Sequence, residues 1–475
     1  MIQEEFAKQF ISKLDFIPTQ EQSNIIQDLS DFVLDIEMQE IFLLRGYAGT
    51  GKTSLINGLV KALNTYRIRS VLLAPTGRAA KVITQYTQKA AYTIHKKIYR
   101  QKSSKDAMGK FILGDNLHKN TLFIVDEASM ISNKDAGKNA VFGSGLLLTD
   151  LIRFVFSGER CKLILIGDEA QLPPVGSVLS PALNKEKLIQ YMYPVYSGIL
   201  TEVIRQDRLQ GILANATAIR QWQKEEKFEI KIETQNFEDV IPITGTELIE
   251  EINNCYDKDG IEETIVICRS NKRANRFNMG IRNQVLYKEE QLSVGDLIMV
   301  VKNNYFWTED EEEIDFIANG DIAEITHIFD HEEMYGFSFI NVSIRLIDYN
   351  DLELNVKLLT NTLSSETPSL STEENKKLFY SILEDYKELK TKKTQYQKVK
   401  TNPYFNALQI KYAYAITCHK AQGGQWKNVF IDQGYITDEM IDKEYLKWLY
   451  TAFTRAIDKL YLVNFNKKML DLDEN

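Results

Sequence analysis

The stretch 46–53, GYAGTGKT, limits what this chain can fold into more than any other part of its sequence. It has the pattern G-x-x-x-x-G-K-T, follows the apolar run 41–44 and precedes the helical pattern 54–63. A strand, a glycine-rich turn and a helix in this order direct backbone N–H groups towards phosphate oxygens at the helix N-terminus. The sequence therefore predicts an α/β fold with a nucleotide-phosphate loop at one edge of its sheet.

The residues in and before this loop predict how a nucleotide and Mg²⁺ are held. Lys52 bridges the outer phosphates, and Thr53 ligates Mg²⁺ through its hydroxyl. Gln22, on a helix that Thr19 caps, either reads an adenine edge through its amide or is a solvated helix residue. The predicted nucleotide-binding residues here are Gln22, Gly46, Ala48, Gly49, Thr50, Gly51, Lys52, Thr53 and Ser54.

Two later apolar strands end in polar residues that complete the predicted site. The strand 121–125 runs into Asp126 and Glu127, and the strand 162–166 runs into a stiff turn that contains Gln171. Asp126 holds the magnesium shell, Glu127 orients and deprotonates the attacking water, and Gln171 senses the γ-phosphate. Because open α/β sheets bind ligands at the carboxyl ends of their strands, we expect these side chains at one edge.

A second group of residues has the chemistry to contact a nucleic-acid strand. The strand 70–74 runs into Pro75, Thr76 and Arg78, which suit a phosphate, although a plain capped helix has the same pattern. Thr93 and His95 follow, and a lone histidine is more often structural. The polar stretch 99–120 is predicted to be a hairpin-like insertion with the apolar tip 111–113.

Composition bounds the architecture but excludes few functions. At 475 residues the chain is too long for one compact core. A net charge of −9, from 57 Lys plus Arg and 66 Asp plus Glu, argues against indiscriminate coating of nucleic acid but allows a local basic groove. The four scattered cysteines have no zinc spacing, and no apolar run approaches about 18 residues. These features favour a cytoplasmic protein without a membrane segment.

Taken in order, these motifs resemble those of the superfamily 1 helicases of the RecD and Dda type. The resemblance also rests on LTEVIRQ at 200–206, TCHKAQG at 417–423, YTAFTRA at 450–456 and the strand-and-helix pattern at 265–282. It implies two arginine fingers, at Arg205 and Arg455, although each alone could be a surface ion pair. It further implies nucleotide contact by Gly423 and strand contact by Thr417, His419 and Lys420. Within the resemblance, Phe111 of the hairpin-like insertion is the aromatic candidate for a strand-splitting wedge.

The resemblance also implies the division of the chain into domains. Two RecA-like P-loop NTPase domains are expected, one at 1–198 with the hairpin-like insertion, the other at 199–288 and 404–475. The segment 289–403 has short alternating strands with Gly-Asp and Asn-Gly turns, which indicate a small SH3-like β-barrel, and then a helical segment near 371–393. That segment ends basic, which favours either a solvated face or contact with the DNA backbone.

The predicted function is that of an ATP- and Mg²⁺-dependent DNA helicase, which moves 5′ to 3′ on single-stranded DNA and unwinds forked or tailed duplex as a monomer. The alternatives are a DNA-stimulated ATPase subunit of a larger recombination or repair complex, docked through the barrel, and a P-loop nucleotide kinase. The predicted catalytic residues are Lys52, Glu127, Gln171, Arg205 and Arg455. The predicted DNA contacts are Pro75, Thr76, Arg78, Thr93, His95, Phe111, Thr417, His419 and Lys420.

Overall fold

The computed structural model describes residues 2–35, 38–101, 111–134, 142–204, 210–309, 311, 314, 316–349 and 351–471. The helices are α1 Ile2–Ser12, α2 Gln20–Leu34, α3 Lys52–Thr65, α4 Gly77–Thr87, α5 Ile94–Ile98, α6 Leu147–Ser157, α7 Lys185–Ile189, α8 Gln210–Glu225, α9 Leu248–Asp259, α10 Asn271–Gln284, α11 Asn361–Ser364, α12 Thr372–Glu384, α13 Lys392–Lys400, α14 Cys418–Ala421 and α15 Lys443–Phe453. Within the described ranges, none of these helices combines the length and the apolar character needed to cross a membrane.

The strands fall into two large parallel sheets, a barrel and a short hairpin. They are β1 Ile41–Gly46, β2 Arg69–Ala74, β3 Ala91–Thr93, β4 Tyr99–Gln101, β5 Phe111–Leu113, β6 Thr121–Val125, β7 Lys162–Gly167, β8 Val195–Leu200, β9 Val240–Ile243, β10 Thr264–Cys268, β11 Leu297–Val300, β12 Ile322–Met334, β13 Phe337–Leu346, β14 Leu352–Leu359, β15 Leu408–Tyr412, β16 Ala415–Thr417, β17 Trp426–Asp432 and β18 Ala456–Val463.

The first sheet is parallel, with the strand order β3-β2-β6-β7-β1-β8. Its strands are apolar and covered on both faces, as expected of a parallel sheet between helices. In β1, Phe42 and Leu44 join a core with α2 and α3, while Ile41 and Leu43 face the core under α6. The neighbouring strands β6, β7 and β1 therefore deliver the acidic pair, the Gln171 turn and the phosphate loop to one edge.

The second sheet is also parallel, with the order β16-β10-β17-β18-β9. We call the parts built around the two sheets the first unit and the second unit. Helices α8 and α15 of the second unit pack against each other beside the phosphate loop. The predicted fold class, two RecA-like halves with an inserted barrel, is confirmed.

The barrel closes through β11-β12-β13-β14-β15, and its last strand lies beyond the predicted limit at residue 403. The sequence analysis did not assign this strand to the barrel because the polar residues Gln409 and Lys411 alternate with its apolar residues. Both are 6% exposed, and their side chains bond to the backbone of Leu370 and Ser365 respectively. Helices α12 and α13 pack around a separate core on the β12–β13 hairpin, where the sequence predicts the helical segment.

The hairpin-like insertion in the first unit differs from its prediction in one respect. β4 and β5 pair antiparallel, with Gln101 opposite Phe111, so 111–113 is the returning strand at the base of the hairpin and not its tip. Residues 102–110, between the two strands, lie outside the described residues. Phe111 is 7% exposed, and this burial contradicts its prediction as a strand-splitting wedge.

Candidate nucleotide and strand sites

The phosphate loop joins β1 to α3 in a conformation that its glycines permit. Gly49 and Gly51 have φ angles of +74° and +84°, a region that other residues rarely adopt. Gly46 instead allows close approach, because an added Cβ would lie 3.0 Å from the Thr50 hydroxyl oxygen and 3.1 Å from the Leu200 Cβ. Larger side chains at these positions would displace the loop or its neighbours.

The polar side chains of the loop differ in their hydrogen bonding. Lys52 Nζ donates to the carbonyl oxygen of Tyr47 at 2.7 Å, which folds the ammonium group back onto the loop. The hydroxyls of Thr53 and Ser54 bond to no group in the described part of the chain. The Thr53 hydroxyl is therefore available for the Mg²⁺ contact that the sequence predicts.

Gln22 lies next to the loop as predicted, but both ends of its amide are engaged. Oε1 accepts from the Thr19 N–H at 3.0 Å, and Nε2 donates to the carbonyl oxygen of Thr50 at 3.0 Å. The residue is 1% exposed, which rules out the solvated alternative. Contact with an adenine edge would require these bonds to break, so in this structure Gln22 braces the loop backbone.

The acidic pair after β6 has properties that its sequence does not reveal. Glu127 has a φ of +52°, a costly conformation for a residue with a side chain and one that clusters at functional sites. Asp126 Oδ1 accepts from the Glu127 N–H at 2.8 Å. Desolvation in the cleft and the charge of Glu127 raise the pKa of Asp126 to about 7. A cation bound beside Asp126 would favour the ionised form of this carboxyl.

Mg²⁺ fits this edge of the sheet. Thr53 offers an uncommitted hydroxyl, and Asp126 a carboxylate whose ionisation a divalent cation would favour. Among the described residues, no group of three or more His, Cys, Asp or Glu side chains could hold a metal ion.

The turn after β7 carries two buried polar side chains. Asp168 is 1% exposed, and its Oδ1 accepts from the Ala170 N–H at 2.9 Å. Gln171 is 6% exposed, and its Oε1 has no hydrogen-bond partner among the residues that the structure describes. A buried unpaired amide oxygen is costly, so this end of the turn retains the capacity to accept a hydrogen bond from a group outside the described residues.

Residues of the second unit bind directly to this turn and to the phosphate loop. Thr451 Oγ1 accepts from the Leu172 N–H at 2.8 Å, and Gln422 Nε2 donates to the Leu172 carbonyl oxygen at 2.6 Å. Tyr450, also on α15, donates its hydroxyl to Asp168 at 2.7 Å. The sequence analysis missed all three residues, although each stands inside a motif that it quoted. Their position in the TCHKAQG and YTAFTRA patterns is the signal that could have found them.

The structure describes one of the two predicted arginine fingers. Arg205 lies outside the described residues. Arg455 is 3% exposed and donates to the carbonyl oxygens of Thr451 and Gly424, at 3.1 and 3.2 Å, and to the Thr454 hydroxyl at 3.1 Å. Its guanidinium is thus held by its own unit and must exchange partners to meet a phosphate.

The strand-binding candidates of the first unit meet the second unit. The Arg78 guanidinium stacks over the Trp426 ring at 3.9 Å, and burial lowers its pKa. Thr76 caps α4, and an added Cβ on Gly423 would lie 3.1 Å from the Thr76 hydroxyl oxygen. Gly423 therefore lies against this candidate strand surface and not at the phosphate loop, which contradicts its prediction as a nucleotide contact.

The candidates on the second unit point towards the barrel. Lys420 Nζ bonds to Asn319 Oδ1, and burial lowers its pKa to about 8. His419 is half-buried, which lowers its pKa. Thr417 precedes α14 without capping it through its side chain. Together with Pro75, Thr76 and Arg78, these residues border the region where both units and the barrel meet.

Thr93, His95 and Phe111 lie in a different environment from the other candidates. Thr93 is 8% exposed and caps α5. His95 packs 4.7 Å from Phe142, and desolvation lowers its pKa to about 4, so it is neutral near pH 7. Phe111 packs 4.9 Å from Phe142 and 4.7 Å from Tyr305 of the barrel. The burial of Phe111 among these rings contradicts its prediction as a DNA-contacting wedge. His95 packs beside the same rings but is only partly buried, and its contact with DNA stays a prediction.

Because α15 of the second unit closes directly onto the phosphate loop of the first, the fold and site define a P-loop ATPase built from two RecA-like halves. Residues 20–239 match a family described as an AAA domain, and residues 412–463 match the UvrD-like helicase C-terminal domain. The chain belongs to the superfamily 1 helicases of the RecD and Dda type.

Three relatives illustrate the extent of this similarity. Protein R530 of Acanthamoeba polyphaga mimivirus is 26% identical, over 89% of this chain and 94% of that protein. The RecBCD enzyme subunit RecD of Buchnera aphidicola is 24% identical, over 94% of this chain and 76% of that one. The ATP-dependent DNA helicase dda of Enterobacteria phage T4 is 26% identical, over 54% and 55% respectively. Among solved structures, Bacteroides Pif1 helicase with ADP-AlF3 and single-stranded DNA aligns with a TM-score of 0.48 and 15% identity, over 97% and 95%.

Proposed function

We propose that the chain is an ATP-driven motor that moves 5′ to 3′ along single-stranded DNA and unwinds duplex DNA. The observation that carries this proposal is the set of hydrogen bonds between the second unit and the nucleotide edge of the first. Tyr450 bonds to Ala48 of the phosphate loop, and Thr451 and Gln422 bond to Leu172 of the turn after β7. Because the loop and the turn border the phosphates, a change in the phosphates alters these bonds and hence the relative position of the units.

The hydrolytic roles follow from the chemistry of each side chain. Lys52 and the loop N–H groups bind the phosphates, and Glu127 positions the attacking water and takes its proton. Arg205 and Arg455 supply positive charge as the transition state develops. Thr53 and Asp126 would hold Mg²⁺, which would neutralise phosphate charge when bound.

The strand path follows from where the candidate surfaces meet. Thr76 and Arg78 of the first unit lie against Gly423 and Trp426 of the second, so a strand that crosses here contacts both units. Contacts to backbone phosphates and base faces make binding sequence-tolerant and salt-sensitive. A phosphate must compete with Trp426 for Arg78, which makes this contact dependent on the relative position of the units.

The first experiment compares ATP hydrolysis with and without single-stranded DNA in the wild type and in Glu127→Gln. We expect strong stimulation of the wild type and at least about a hundredfold loss in the variant, because a general base contributes about 10²–10⁴ in rate. Faster unwinding of 5′-tailed than of 3′-tailed duplex would then establish the direction. Hydrolysis that ignores DNA would defeat the motor proposal and favour a nucleotide kinase.

A second candidate is the same motor acting within a larger complex. The Buchnera relative is named as a subunit of the RecBCD enzyme, which favours this candidate. Unwinding assayed on the monomer fraction from gel filtration distinguishes the two, since we propose that the monomer is sufficient for unwinding. Activity that appears only after a partner protein is added would support the second candidate.

A further inference from the structure

A tyrosine hydroxyl bridges the two units at the nucleotide loop. Tyr450, on α15 of the second unit, accepts from the Ala48 N–H at 2.8 Å and donates to Asp168 Oδ2 at 2.7 Å. Ala48 belongs to the phosphate loop, and Asp168 to the turn after β7. Tyr450 and Asp168 are each 1% exposed, so the protein alone supplies the partners of this hydroxyl.

The direction of both bonds follows from the atoms involved. A backbone N–H can only donate, so Ala48 takes a lone pair of the phenol oxygen and leaves the phenol proton for Asp168. The other carboxylate oxygen, Oδ1, is already engaged by the Ala170 N–H at 2.9 Å. The phenol oxygen is thereby held against the loop in one orientation.

The Ala48 N–H is a donor of the kind that phosphate oxygens take at such a loop. In this structure the Tyr450 phenol oxygen accepts the hydrogen bond of that donor at 2.8 Å. A second phosphate-binding group is similarly engaged within the loop, since Lys52 Nζ donates to the Tyr47 carbonyl oxygen. A nucleotide that uses both groups must displace the phenol and the carbonyl.

We propose that the Tyr450 hydroxyl is a latch that nucleotide displaces, coupling occupancy of the phosphate loop to the position of α15. The same end of α15 holds the Leu172 N–H through Thr451, and Arg455 follows two residues after the helix ends. Release of the phenol frees this end of the helix to move and brings Arg455 within reach of new partners. Tyr450 is thus a positioning residue, which acts on the phosphates through the loop and through Arg455.

The latch rests on the proposed function for its purpose, but its existence is tested by nucleotide binding alone. Tyr450→Phe keeps the ring and removes both bonds. Because the phenol no longer competes for Ala48, we expect ADP in the absence of DNA to bind about two- to tenfold more tightly, the equivalent of one net hydrogen bond. We also expect DNA to stimulate ATP hydrolysis less in Tyr450→Phe than in the wild type, because the hydroxyl no longer links the phosphate loop to α15.

Tyr445→Phe is the matched control. Tyr445 lies on the same helix, is 2% exposed, and accepts through its hydroxyl from Gln433 Nε2 at 3.1 Å, away from the loop. We expect its affinity for ADP and its stimulation by DNA to equal those of the wild type. A Tyr450→Phe variant that binds ADP equally well or more weakly than the wild type overturns the latch.

A second measurement covers the case in which Tyr450→Phe fails to fold. 3-Fluorotyrosine placed at position 450 of the otherwise wild-type chain reports the hydroxyl environment by ¹⁹F NMR. Addition of Mg²⁺ and a non-hydrolysable ATP analogue should shift the resonance, and an unchanged resonance at saturation overturns the proposal. If DNA does not stimulate ATP hydrolysis by the wild type, the proposed motor function is wrong. The ADP affinities of the variants still test the latch in that case.

Discussion

Phe111 offers a direct test of the packing at the base of the hairpin. The residue is 7% exposed, and its ring lies 4.9 Å from Phe142 and 4.7 Å from Tyr305 of the barrel. Phe111→Ala removes this ring from a core shared by the first unit and the barrel. We therefore expect the substitution to destabilise the fold, whereas loss of an exposed wedge would impair unwinding alone.

The magnitude follows from burial. Truncation of a buried Phe to Ala costs about 3–5 kcal/mol, because transfer free energy is lost and a cavity remains. The two ring pairs account for part of this cost, since each aromatic pair contributes about 0.5–1.5 kcal/mol beyond its buried area. Substitution of an exposed residue usually changes stability by no more than about 0.5 kcal/mol. The loss of unfolding free energy expected for Phe111→Ala is therefore several-fold larger if the ring lies in the core than if it is exposed.

Urea unfolding followed by circular dichroism measures this difference. Ile112→Ala is the matched control, because Ile112 is the next residue of β5 and is 47% exposed. We expect the urea midpoint to fall by on the order of 1 M for Phe111→Ala and to stay near the wild-type value for Ile112→Ala. A wild-type midpoint for Phe111→Ala, combined with lost unwinding, would refute the core placement and restore the wedge.

Two further perturbations test other parts of the structure. The pKa of His95 is lowered to about 4, so the unfolded chain binds a proton below about pH 6.5 that the folded chain does not. The stability that neutral His95 contributes should be complete above pH 6.5 and decrease as the pH falls towards 4. The difference in urea midpoint between pH 7 and pH 5 should be smaller in His95→Phe, and an equal difference would refute the assignment. On α13, Lys392, Lys393 and Lys400 lie on one helical face and make no ion pair in the described residues. If they contact the duplex backbone, changing all three to Gln should weaken binding to tailed duplex. It should also reduce the slope of the logarithm of the binding constant against the logarithm of salt concentration by up to about three. Stimulation of hydrolysis by single-stranded DNA should persist, and changing the exposed pair Lys467 and Lys468 to Gln serves as control. Unchanged binding by the α13 variant would favour the solvated face.

Local spacing alone was sufficient for much of the site. The pattern 46–53 specifies a strand, a turn and a helix within a few residues, and the apolar runs before Asp126 and Gln171 specify parallel strands that end at the same edge. The alternating strands and turns of the insertion likewise predicted the barrel that the structure confirms. In each case the residues that decide the structure are neighbours in the chain.

Tertiary structure decided the features that depend on distant residues. The sequence around Gln22 or Phe111 does not show that Thr50 takes the amide or that Tyr305 covers the ring. The bond of Tyr450 to Ala48 joins residues far apart in the chain, and β15 is recognisable only once its polar side chains are seen to be buried. Sequence periodicity reports which face of an element is apolar, but not which distant group meets a given side chain. That choice depends on how the two units and the barrel pack, and here it determines which polar groups remain for nucleotide and DNA.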